Sequence, residues 1–127
     1  MHVAGKYLSV TTYRRDGTGV ATPVWFVEDE GRFLVKTGAE SGKVKRIRHN
    51  PSVTAAACNG MGKVRGEPFA ARADFVPAAE QGRVDTLMRH KYRVDGILVM
   101  PVYRLVMRLK GHPVGHDEAY LAITPSS

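Results

Sequence analysis

KYLSVTTYRRDGTGVATPVWFVEDEGRFLVKTG, residues 6–38, decides the fold. Residues 6–13 are β-branched and aromatic and carry no helix punctuation, so they read as a strand. Asp16-Gly17 follows and is a strong hairpin turn. Residues 19–28, GVATPVWFVE, are again strand-like, but Pro23 has no N–H to give to a ladder. It therefore marks an edge, a bulge or a place where pairing is interrupted. DEG at 29–31 turns the chain into a third strand, RFLVKTG at 32–38. Three consecutive antiparallel strands form a meander, and the remaining segments must pack on it.

The next stretch, TGAESGKVKRIRHN (37–50), holds a short helix. Ser41 is a good N-cap, Val44 and Ile47 share a face, and Asn50-Pro51 is a natural terminator. VTAAACN (53–59) is a strand of small residues, compatible with a crowded barrel interior. GMGKVRGEP (60–68) is a glycine-rich connection and FAARADFV (69–76) a fifth strand. Residues 78–92 have helical apolar spacing through Val84, Leu87, Met88 and Tyr92, with Gly82 weakening the first turn. MPVYRLVMRLKG (100–111) reads as a further helix, with Pro101 in its first turn, Gly111 at its end and Val102, Leu105, Val106 and Leu109 as its stripe. EAYLAITP (118–125) is the last strand. About six sequential, mostly antiparallel strands and three helices predict a mainly β, α+β fold: a small closed barrel with flanking helices. No repeat or linker divides it, so one domain is expected over 1–127.

A chain of 127 residues can bury a core without disulfides or metal. The lone Cys58 excludes an internal disulfide and fits a reducing cytosol. No apolar run reaches the roughly 18 residues of a membrane span, and MHVAGKYLS has no signal-peptide core. A cytoplasmic protein is expected. Nineteen Lys and Arg against 12 Asp and Glu give net +7, which favours anionic partners: nucleic acid, a membrane surface, or phosphorylated and carboxylated small molecules.

The distribution of those cations raises an electrostatic question. Lys43, Lys45, Arg46 and Arg48 crowd the first turns of a helix, where the dipole presents about half a positive charge and acids are expected. A bound anion would make this tolerable. The amides of Gly42, Lys43 and Val44 point along the axis, Gly42 permits close approach, the Ser41 hydroxyl can donate and Lys43 supplies a full charge. Lys43 and Arg46 lie about 60° apart around the helix, and Thr37 ends the preceding strand. The same residues also fit a solvated basic helix capped by Ser41.

In ATPVWFV (21–27), alternation puts Thr22, Val24 and Phe26 on one face and Pro23, Trp25 and Val27 on the other. A flat heteroaromatic ligand could lie against such an interrupted strand and use its backbone groups; a core strand with a buried Trp is the reading normally favoured for a lone aromatic stretch. The i,i+4 histidines of HPVGH (112–116) have metal-ligand spacing, but Pro113 and Gly115 forbid the aligning helix, and incidental histidines in a loop explain them better. No GxSxG, Cys–His pairing or GxxxxGK[ST] loop supports a hydrolase or nucleoside triphosphatase, and Cys58 reads as a small buried hydrophobe. The basic segments could line a nucleic-acid groove, but aromatics make up only 8% and do not interleave with them.

Taken in order, KYLSVTTYRRDGTGVATPVWFV, FLVKTGAESGKVKRIRHNPSVTAAAC, KVRGEPFAARADF and the HKY…ITP ending resemble the split-barrel flavin and deazaflavin proteins of the pyridoxamine 5'-phosphate oxidase-like superfamily. The resemblance covers nearly the whole chain and is strongest to the coenzyme F420-dependent branch. It implies a six-stranded antiparallel split barrel of the FMN-binding type. It also implies a tricyclic ring lying against Ala21, Thr22, Pro23, Val24 and Trp25, with the cofactor phosphate held by Lys36, Thr37, Ser41, Gly42, Lys43, Val44 and Arg46. Family members are homodimers with the cofactor between subunits, so the resemblance implies a homodimer here in which Lys63 and Arg65 could reach across from the partner.

The activity implied is hydride transfer from reduced coenzyme F420 to an electron-poor enone- or quinone-like small molecule. FMN is the alternative cofactor; a non-catalytic cofactor carrier and a basic nucleic-acid-binding barrel are alternative functions. Two departures argue against vitamin B6 oxidation. Ala21 stands where the oxidases carry a phosphate-binding arginine, and the ITPSS ending lacks their arginine-containing segment. None of His2, His49, His90, His112 and His116 has the context of a haem ligand. No residue is assigned as proton donor, although Tyr13, Tyr92 and Tyr103 have the chemistry for it.

Overall fold

The computed structural model describes residues 3, 5–92 and 118–126. Six strands, β1 (Tyr7–Tyr13), β2 (Gly19–Asp29), β3 (Arg32–Gly38), β4 (Ser52–Cys58), β5 (Phe69–Phe75) and β6 (Glu118–Pro125), form a closed barrel in the order β1-β2-β3-β6-β5-β4. Every pairing is antiparallel, including the β1–β4 ladder that closes the circle. Helix α1 (Gly42–His49) joins β3 to β4, and α2 (Ala78–Lys91) follows β5. The helix expected over 100–111 and the HPVGH loop lie outside the described residues.

The meander forms where the turn chemistry puts it. Gly17 takes φ +91°, and the Asp16 carboxylate accepts from the Thr18 amide at 2.9 Å, fixing the β1–β2 turn. Between β2 and β3, Glu30 (φ 54°) and Gly31 (φ 79°) are consecutive left-handed residues. That two-residue connection matches the twist of the strands it joins and pairs Asp29 with Arg32.

The inner faces supply the core: Leu8, Val10, Phe26, Phe33, Val35, Leu121 and Ile123 are at most 1% exposed. Ala55, Ala71 and Ala73 make room for the two Phe rings on the opposite side of a narrow barrel. Ile47 of α1 joins this interior, so the short helix plugs one end of the barrel. Outside, Val84, Leu87 and Met88 of α2 pack on Val27, Leu34, Val76 and Ala122.

One asymmetry positions the site. Strand β2 pairs with β1 along Gly19–Trp25 but with β3 only along Phe26–Asp29. Before Phe26, no described strand covers the β3-facing edge of β2. The Phe26 amide is turned toward Lys6, because the Tyr92 hydroxyl bonds both the Phe26 N–H (3.0 Å) and the Lys6 carbonyl (2.7 Å). Alternation therefore turns the backbone of Ala21 and Pro23 the other way, to the uncovered edge. Pro23 sits there because its missing N–H leaves no strand partner unsatisfied.

Candidate functional site

The barrel opens where β2 and β3 part company, and α1 begins at the same place. Three residues separate Gly38, the end of β3, from Gly42, the start of α1. Ser41 caps the helix as its sequence predicts, its Oγ accepting from the Val44 amide at 3.3 Å. The amides of Gly42 and Lys43 are left as the orphan donors of the first turn. The first turn contains no acidic residue.

Lys43 is the unusual group. Its side chain is drawn inward to 8% exposure, and Nζ donates to Thr37 Oγ1 at 3.0 Å. Among the described residues no carboxylate pairs with it. Burial, with the nearby Arg46 charge second, pushes its ammonium below the ordinary lysine range. A buried cation opposed by one hydroxyl is an expensive arrangement for a protein, and an anion in contact with it would repay that cost.

Arg46 stands beside it. Its Nε donates to Thr12 Oγ1 at 2.6 Å, and Thr12 is fully buried. The guanidinium lies over Gly42, where a Cβ would come within 2.8 Å of Nη1. On its other side Arg46 lines a groove of about 500 Å³ with Tyr13, Arg14, Arg15, His49 and Asn50. Arg15 reaches His49 there, Nη2 to Nε2 at 3.2 Å. On β2, Thr22 Oγ1 is buried with no hydrogen-bond partner among the described residues. Such a hydroxyl is the kind of orphan that a ligand satisfies.

The structure thus brings together Thr37, Ser41, Gly42, Lys43, Val44 and Arg46. Ala21, Thr22 and Pro23 lie on the uncovered stretch of β2. Val24 is buried in the barrel, and Trp25 faces outward, stacked on Tyr92 (4.5 Å between centroids, 8° between planes) and edge-on to Tyr7. Those two contribute backbone at most. Lys36 stands apart: it points to the other side of β3, with Nζ 2.8 Å from Asp85 and 2.9 Å from Glu118. Lys63 and Arg65 are exposed, and their backbones are held by Asn59 Oδ1 and the Ala57 carbonyl.

Two residues carry local geometry in ways that their sequence context does not show. Thr12 looks like any β-branched strand residue; its hydroxyl matters only because Arg46 arrives from 34 positions away. Tyr92 has the chemistry of a proton donor, but it is 3% exposed and its hydroxyl is engaged with Lys6 and Phe26. Its role is to close the end of the β1–β2 ladder. Tyr13 is bonded to Thr54 Oγ1 at 2.7 Å, and Tyr103 lies outside the described residues. No cluster of three metal-ligating side chains occurs among the described residues. Burial pushes the Cys58 thiol up, as expected of a packing residue rather than a nucleophile. No described helix is long and apolar enough to cross a membrane.

Known proteins share this architecture. An F420 reductase superposes with a TM-score of 0.58 at 17% identity, covering 96% of this chain and 87% of the other. An FAD-binding protein from Mesorhizobium loti gives 0.65 at 11% identity, covering 97% and 81%. HutZ, a heme storage protein from Vibrio cholerae, gives 0.66 at 17%, covering 96% and 82%. At these identities the likeness is one of fold, and the three differ in what their names say they handle. No curated protein matches the chain. The sequence profile described as pyridoxamine 5'-phosphate oxidase matches residues 5–125, and with the six-stranded split barrel this settles the relationship: the chain belongs to the pyridoxamine 5'-phosphate oxidase family.

Proposed function

We propose that the protein is an oxidoreductase that uses coenzyme F420, with FMN as the alternative cofactor, and acts on an electron-poor, enone- or quinone-like small molecule. The observation that carries this reading is Lys43, a buried ammonium with no carboxylate partner among the described residues, beside Arg46 at a helix N-terminus. That set fits a phosphate. Lys43 and Arg46 would supply charge, the Gly42 and Lys43 amides would donate, and the Thr37 and Ser41 hydroxyls would complete the cradle. The uncovered backbone of Ala21 and Pro23, with the Thr22 hydroxyl, fits the edge of a flat heterocycle. The bound cofactor would supply hydride-transfer chemistry. The chain's own contribution would be to orient the ring against β2, clamp the phosphate and keep water from the ring face.

The functional unit proposed is a cytoplasmic homodimer with the cofactor between subunits, where Lys63 and Arg65 would reach across from the partner. Nucleic acid is a weaker candidate ligand, and a non-catalytic cofactor carrier is the alternative within the family.

Titration of ligand-free protein with coenzyme F420 and FMN in parallel, followed by fluorescence at low and high salt, tests the reading. Tight, salt-sensitive binding of the deazaflavin with weaker FMN binding supports it, and turnover of an enone panel then separates enzyme from carrier. Preference for FMN moves the assignment to the flavin side. Binding of neither sinks it.

A further inference from the structure

We infer that Thr12 is a positioning residue, whose buried hydroxyl fixes the Arg46 guanidinium over Gly42 and so sets the grip of the site on a phosphate. The inference rests on the phosphate-binding reading above. An arginine at the fifth position of a short helix is free to extend into solvent along its own stem, and the neighbouring Lys45 and Arg48 are exposed. Arg46 is not left free. Its Nε is tied to Thr12 Oγ1 at 2.6 Å, and Thr12 is fully buried in β1. With Nε committed, the two Nη groups are the donors that bond no other described residue. Both face the start of α1: a Cβ on Gly42 would meet Nη1 at 2.8 Å and Nη2 at 3.6 Å.

The missing side chain at Gly42 is thus what leaves space for the guanidinium. Thr12 decides which way it points, and Lys43 closes the other side from its anchor on Thr37 at 3.0 Å. Two hydroxyls from two different strands, one in β1 and one in β3, hold the two cations at fixed spacing across the helix end. A fork held in this way loses little freedom when it binds, which favours planar, bidentate recognition of phosphate oxygens over a diffuse attraction.

The test measures phosphate-dependent affinity as the Kd of riboflavin over that of FMN, and the Kd of phosphate-free deazariboflavin over that of coenzyme F420 reports the phosphate together with its carboxylate tail. Thr12→Val keeps the shape of the side chain and removes the acceptor, with thermal melting to verify the fold. The expected result is a ratio lower by about five- to tenfold, restored by Thr12→Ser, with binding of the phosphate-free compounds unchanged. In an Arg46→Ala background, Thr12→Val should have no further effect, which a purely structural role for Thr12 would not produce. Two results overturn the inference alone: an unchanged ratio in Thr12→Val while Lys43→Ala lowers it, or an equal drop with and without Arg46. Unchanged ratios in Lys43→Ala, Arg46→Ala and Thr12→Val together overturn the phosphate site itself.

Discussion

Lys36 and Lys43 both lie at the β3–α1 corner, seven positions apart, and the fold treats them in opposite ways. Lys36 projects from the outer side of β3 onto α2, between Asp85 and Glu118, with the Tyr120 hydroxyl completing the cluster on Asp85. Its carboxylates hold it protonated well above the ordinary lysine range, although desolvation opposes them. Lys43 turns inward, where burial and Arg46 push it the other way. One cation is neutralised by its own chain and joins a helix to a barrel. The other is kept short of negative charge at the opening of that barrel. A positive residue in a basic protein therefore says little until its counter-charge is located.

The largest expected effect tests the second half of that contrast. Lys43→Met should weaken phosphate-bearing ligands by roughly 10- to 100-fold, the cost of one charge-assisted contact, while the ligand-free protein melts no lower than the parent. Fluorescence titration and a thermal melt on the same sample would show both; a lower melting temperature with intact binding would reverse the roles assigned to the two lysines. Asp85→Asn should do the converse. Lys36 and Asp85 are each about a third exposed, so the loss is about 1 kcal/mol, a few degrees in the melt, with ligand affinity unchanged.

The smallest effect is in pH. For Lys43 the folded pKa lies below the unfolded 10.5. Its burial therefore costs stability at neutral pH, and that cost is relieved as pH rises through its folded pKa toward 10.5. Ligand affinity should fall over the same alkaline window, because the charge that binds phosphate is lost. Lys36 has its pKa raised, so its contribution is fully present below 10.5 and disappears only as pH passes its folded value. Asp85, with its pKa lowered, contributes above 3.8 and is lost as pH falls through its folded pKa. As pH rises toward 10.5 binding should weaken while the α2 contact survives; parallel loss of both would erase the distinction.

Much of this was legible because its chemistry is local. Asp16-Gly17, Glu30-Gly31, the Ser41 cap and the break at Asn50-Pro51 each act within a few residues, and each lies where the sequence puts it. The interruption at Pro23 was also readable, though which edge it faces depends on where β3 stops pairing. Family likeness groups Lys36 with Thr37 and Lys43, whereas the structure ties it to Asp85 and Glu118 on the other side of β3, and the difference has a physical origin. Its partners Asp85 and Glu118 come from distant parts of the chain. Yet a signal existed: with Phe33 and Val35 inward, strict alternation sends Lys36 outward and Thr37 inward. The Thr12–Arg46 contact had no such signal, since neither residue's neighbours anticipate the other.

The order of the strands around the barrel also bears on how the chain reaches this state. Thr12, Thr37, Ser41, Lys43 and Arg46 all fall in the meander and the helix after it, whose β1–β2 and β2–β3 pairings join strands adjacent in sequence. Closure needs more distant partners: β4 must pair with β1, and β6 must return to β3, pairing Ile123 with Phe33 and Ala122 with Leu34 across most of the chain's length. Contacts between distant segments form at high entropic cost and late, whereas hairpins form early. The cationic cradle would be sketched by the first 46 residues before the last strand seals the wall behind it. Changes in the two tight turns should then slow folding, and changes in β6 should mainly hasten unfolding.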